Sequence, residues 1–207
     1  MKQPKEYLDE ISEIRSLMER SSRFLSLSGL SGVMAGLYAL LGAFFAYSII
    51  YQNNNYFGYR TIDLGELNTI KLLVLDALLV LIFSFFTGLL LTYKKAKKEG
   101  NKIWDKQAQQ ILKHLLIPLV TGGILSIILI QKGYMGVVAP LTLIFYGLAL
   151  VNVSKFTYSD IQYLGLLEIA LGLTSCVYIG YGLLFWSIGF GVLHILYGII
   201  MYIKYEK

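Results

Sequence analysis

The sequence predicts an all-α polytopic membrane protein: six transmembrane helices, three antiparallel hairpins, and cytoplasmic N- and C-termini. Three observations predict it. Hydrophobic residues make up 56% of the 207-residue chain and charged residues 15%, with a mean hydropathy of +0.62, outside the range of soluble globular domains. Apolar runs recur that are long enough to cross a bilayer core of about 30 Å, which takes roughly 20 helical residues. Once those runs are threaded, fifteen of the 18 basic residues share one side, as the excess of Lys and Arg in cytoplasmic loops requires.

Residues 1–23 place Tyr7, Ile11, Ile14 and Met18 at heptad-like spacing with charges elsewhere, which predicts a cytoplasmic amphipathic juxtamembrane helix. This stretch has no short apolar core followed by a small-residue cleavage site, so the first span is expected to act as its own anchor. The transmembrane domain then fills residues 24–207, with spans at about 25–51, 69–93, 111–130, 135–153, 161–178 and 183–203. The first link, Gln52 to Asn68, is polar and carries the turn formers Asn53, Asn54 and Asn55. The second, around Lys94 to Lys106, is rich in lysine, and such a loop attracts anionic lipid. The links Gln131 to Tyr134 and Ile179 to Gly182 are so short that their flanking helices must be antiparallel neighbours. Arg60, Lys71 and Lys132 remain on the outer side. Tyr51, Tyr56, Tyr59, Tyr93, Tyr134 and Tyr202 fit interfacial belts.

Two frames in the last third of the chain bear on function. GLLEIALG (Gly165 to Gly172) and GVLHILYG (Gly191 to Gly198) hold Glu168 and His194 between glycines at spacings of three and four, which puts glycine, polar residue and glycine on one helix face. Folded back at Gly180 to Gly182, these faces are expected to meet, with Gly165 opposite Gly198 and Gly172 opposite Gly191, since small residues let membrane helices approach closely. Glu168 and His194 would then share a depth. An unpartnered acid inside a membrane costs about 2.5–3.5 kcal/mol, so the pair is a candidate to hold one shared proton near neutral pH. The same frame is open to a second reading, as a packing clamp between the last two spans. GLSGVMAG (Gly29 to Gly36), with Gly32 between, is a third packing face, expected to contact another span of the same chain.

Each second hairpin helix carries a glycine, aliphatics and then lysine: FFTGLLLTYKK (Phe85 to Lys95), IFYGLALVNVSK (Ile144 to Lys155) and ILYGIIMYIK (Ile195 to Lys204). In these glycine-containing hairpins the chain resembles the small six-span acid-resistance membrane proteins called HdeD-like. The resemblance covers the spans, and no functional residue carries over from it; a true internal repeat of the three hairpins implies parallel repeats about an axis along the membrane normal.

Asp76, in KLLVLDALLVLIF, is the other acid within a span. It is expected either as the outer station of a polar path leading to Glu168 and His194, or as an interfacial acid partnered by Lys71. His114 lies near the start of its span, at a different depth from His194, so the two cannot share a haem iron. No metal-ligand spacing and no phosphate-gripping glycine loop is present, and Cys176 is single; neither cofactor nor metal is expected, and nothing points to nucleic acid. The expected function is that of a non-enzymatic integral protein of a plasma (inner) membrane, bacterial in type, that senses or conducts a small solute or proton through Glu168, His194 and Asp76. The alternative is a structural or regulatory scaffold that binds a cytoplasmic protein partner or forms a homo-oligomer, with Glu168 and His194 as a clamp. An intramembrane enzyme ranks third, for want of a nucleophile and base outside that pair.

Overall fold

The computed structural model describes residues 27–51, 67–100 and 104–207, and these are all-helical. The amphipathic helix expected over residues 1–23 and nearly all of the link from Gln52 lie outside the described residues. The helices are α1 (Gly29–Tyr51), α2 (Leu67–Lys98), α3 (Lys106–Gln131), α4 (Val138–Val153) and α5 (Ile161–Val177). A last, composite rod follows: α6 (Gly182–Trp186), a π-helical segment (Ser187–Leu193) and α7 (His194–Tyr205). Five helical stretches are long and apolar enough to cross a membrane, the last of them Ile179–Tyr205, and α5 is shorter at 17 residues. At 1.5 Å per residue α5 spans about 25 Å, roughly one turn short of a bilayer core.

Local signals account for the helix ends. Asp105 caps α3 by accepting a hydrogen bond from the Ala108 N–H at 2.7 Å. At the other end of α3, Gly133 takes φ +82°, and the Tyr134 and Gly133 N–H groups donate to the carbonyls of Leu129 and Ile130. That is a Schellman stop, and it needs a residue tolerant of the left-handed region. Gly100, with φ +70°, follows the end of α2 in the same manner.

The helices pack as two rows of three. In one row α1 lies between α2 and the last rod; in the other α4 lies between α3 and α5. The rows touch where α4 and α5 meet α6 and the π-helical segment. Glycines set the closest approaches. A β-carbon at Gly147 would lie 2.6 Å from the Gly165 carbonyl oxygen and 2.9 Å from the Ile169 nitrogen, both in α5. A β-carbon at Gly36 would lie 2.6 Å from the Gly191 oxygen and 3.0 Å from the Ile195 nitrogen. Both seams therefore use one device: a glycine on one helix admits the backbone of residues n and n+4 on its neighbour.

This corrects the expected partners of the glycine faces. Gly165 and Gly172 press on α4, at Gly147, Pro140 and Ile144, while Gly191 and Gly198 press on α1, at Leu40, Gly29 and Val33. The pairings of Gly165 with Gly198 and Gly172 with Gly191 do not form. A short link makes two helices antiparallel, but it does not oblige their glycine faces to meet, and here α4 and α1 take the two notched faces. Gly29, Gly32 and Gly36 all face α7 or the π-helical segment.

The outer surface is apolar. Phe44, Leu81, Leu90 and Ile203 are each about 60% exposed, and large apolar side chains are exposed on every long helix, where a soluble monomer exposes them in small patches. With the helix lengths, this is consistent with an integral membrane protein.

Candidate functional site

Where the two rows meet, Glu168 on α5, His194 at the head of α7 and Tyr146 on α4 come together. Glu168 is fully buried and His194 is 6% exposed. The imidazole Nδ1 lies 3.0 Å from the Gly189 carbonyl oxygen, and a carbonyl can only accept, so Nδ1 carries a proton. Nε2 lies 2.8 Å from the Tyr146 hydroxyl, which donates to a neutral ring and accepts from a charged one. Glu168 Oε1 lies 3.4 Å from Nδ1, yet neither carboxyl oxygen has a hydrogen-bond partner among the described residues.

The backbone explains the arrangement. The π-helical segment shifts the ladder so that the Gly189 carbonyl, five residues ahead of His194, receives the ring N–H; such π-bulges frequently sit at functional sites. The Glu168 carboxyl rests on Gly189, where a β-carbon would meet Oε2 at 2.5 Å. Glycine at 189 thus makes room for the acid while its carbonyl orients the histidine.

Above this trio stands an aromatic stack. Phe190 contacts the Tyr146 ring at 5.0 Å, the His194 ring at 5.8 Å and the Trp186 ring at 5.0 Å. Trp186 in turn lines a cleft of about 280 Å³ that also holds Asp76. Asp76 therefore does not touch the Glu168 and His194 pair; three contacting rings connect the two places. Lys71 is exposed and forms no ion pair with Asp76. His114 stacks on Phe156 at 4.8 Å, away from His194.

At the opposite end of the molecule, Lys95 is buried, a correction to its place in the lipid-attracting loop. Its Nζ donates to the Leu27 carbonyl at 2.8 Å and to the Tyr158 hydroxyl at 3.3 Å, and lies 3.5 Å from Glu206 Oε1. Glu206 also accepts from the Gly29 N–H and the Ser28 hydroxyl, so one cluster ties the start of α1 and the end of α2 to the chain's last residues. Burial, with Glu99 and Glu206 nearby, pushes the Tyr158 phenol up to about 12. Beside it, hydrogen bonds from Lys204 and Tyr205 hold the Asp160 carboxyl below the usual carboxylate range. Lys95→Met should cost about 3 kcal/mol, the low end for breaking a buried ion pair because Glu206 keeps two other donors. Thermal unfolding in detergent measures this, with the exposed Lys97→Met expected to stay within about 0.5 kcal/mol of wild type.

Sequence reasoning missed Tyr146 and Lys95. Tyr146 stands eight residues into α4, too deep for an interfacial belt, and that depth was the available signal. Against known proteins, no family model, no curated protein and no solved structure matches this chain.

Proposed function

We propose that this chain is a non-enzymatic six-span membrane protein, with both termini cytoplasmic, that senses or conducts a proton through Tyr146, His194 and Glu168. The observation that carries this reading is the state of Glu168: a fully buried carboxyl group without a hydrogen bond, 3.4 Å from an imidazole whose other nitrogen meets a hydroxyl. A clamp selected for stability would satisfy both oxygens, because each buried polar group left unpaired costs about 1–3 kcal/mol. A group that takes up and releases protons needs oxygens that fixed donors do not monopolise. The tyrosine hydroxyl and the two imidazole nitrogens form a chain in which each member both gives and accepts a proton.

The topology is supported by the gathering of Lys94, Lys97, Lys98, Lys155 and Lys204 at the Lys95 end, with Lys71 and Lys132 opposite. For α5, the flanking turns at Tyr158–Asp160 and Ile179–Tyr181 supply the missing length.

Proteoliposomes carrying a pH-sensitive dye test the proposal. After an imposed pH step with a clamped membrane potential, wild-type protein should speed equilibration, and Glu168→Gln should lower that rate about a hundredfold, the low end of the range for removing a positioned acid or base. Equal rates for the two proteins and for empty liposomes would favour the scaffold reading, in which the pair joins the two rows. The complete exclusion of Glu168 from solvent is the observation on that side.

A further inference from the structure

We propose that the cleft beside Asp76 is a binding site for a small organic monocation, an ammonium group bearing an apolar substituent. The inference stands independently of proton handling at Glu168. The cleft, about 280 Å³, opens between α1, α2, α4 and α6 at the end away from Lys95. Its volume approaches that of small-molecule sites. Its walls are mostly small or apolar, with Ala43, Ala46, Ala77 and Ala139 leaving the space that larger side chains would fill. Against this apolar lining stands one carboxyl group, Asp76, which has no ion pair and no hydrogen bond among the described residues. Among the described residues no lysine, arginine or histidine lines the cleft, so a ligand that brings a positive charge complements the acid.

Two further features suit an ammonium. The Trp186 ring forms part of the wall, and indole is the strongest of the aromatic partners for a cation. Thr142, also in the wall, spends its hydroxyl proton on the Ala139 carbonyl at 2.8 Å, so its oxygen is left as an acceptor and offers no donor to an anion. A carboxylate and an indole in the wall of an apolar cleft select charge and apolar bulk together and reject anions. The ammonium could belong to a free amine or to a lipid headgroup, and the chemistry is the same for both.

Trp186 reports on the site. In a Trp104→Phe background, which removes an indole 65% exposed elsewhere, Trp186 is the remaining tryptophan. Full-length protein in a maltoside detergent is titrated with phenethylammonium and with its uncharged carbon isostere, propylbenzene. The cation should change Trp186 fluorescence saturably. The isostere should bind at least about tenfold more weakly, the loss expected when a hydrogen bond or contact to a charged group is removed. Asp76→Asn should weaken the cation by a similar factor without altering isostere binding. That retained isostere binding guards against a folding defect in Asp76→Asn, and Ala77→Leu, which fills the cleft and leaves the acid, should abolish both. Equal affinities for cation and isostere, or undiminished cation binding in Asp76→Asn, would overturn the proposal. Repeating the titration in nanodiscs identifies the source: competition by phosphatidylethanolamine but not phosphatidylglycerol supports a headgroup ammonium, and undiminished binding in both supports a free amine.

Discussion

Replacing Gly198 by alanine will destabilise the protein by about 3 kcal/mol or more, above the usual range for overpacking. A β-carbon there would lie 2.6 Å from the Gly29 carbonyl oxygen and 2.9 Å from a Val33 methyl, with the Val33 backbone nitrogen equally crowded. Flexible side chains can yield to an extra methyl; helix backbone cannot without moving the helix. Separating α1 from α7 would also loosen the Glu206 hydrogen bond to the Gly29 N–H. Gly147→Ala should behave alike in the other row, where carbonyl and amide of α5 stand at 2.6 and 2.9 Å. Gly88→Ala is the control: nothing lies within 4 Å of a β-carbon there, so the change should stabilise α2 by about 0.5–1 kcal/mol through helix propensity alone. Thermal unfolding in one detergent, with the three variants side by side, reads all of these.

Glu168→Gln should leave stability unchanged or raise it by up to about 1 kcal/mol, a shift of about 2–4 °C for a chain of this length. Glutamine keeps the shape that fits over Gly189, removes the acid, and adds amide donors beside a carbonyl that already accepts from His194. An acid whose removal costs nothing is one retained for activity. A clamp would give the opposite sign: a loss of several degrees. Tyr146→Phe complements this test. It strips the hydroxyl from Nε2 while keeping the ring contact with Phe190, so it should slow proton transfer while costing about 1 kcal/mol, one hydrogen bond.

The helices and the depth of the polar pair were readable in advance because lipid demands long apolar runs and makes each interior acid conspicuous. Glu168 and His194 stood out against aliphatics, and matching glycine frames placed them at one level. Which helices the glycines would face was not readable. A glycine notch specifies close approach, but α4 and α1 satisfy it as well as the neighbour in sequence does, so Gly165 found Gly147 and Gly198 found Gly29. Tyr146 was hidden by the abundance of tyrosine, and Lys95 by its place among exposed lysines. The π-helical segment leaves no mark in SIGFGVL beyond two glycines.

The most direct test of a proton-exchanging Glu168 is pH-difference infrared spectroscopy of the reconstituted protein. The account predicts a carboxylic-acid carbonyl band that rises and falls with pH, shifts on Tyr146→Phe and is missing from Glu168→Gln. A spectrum in which every titrating carboxyl band survives Glu168→Gln would contradict it.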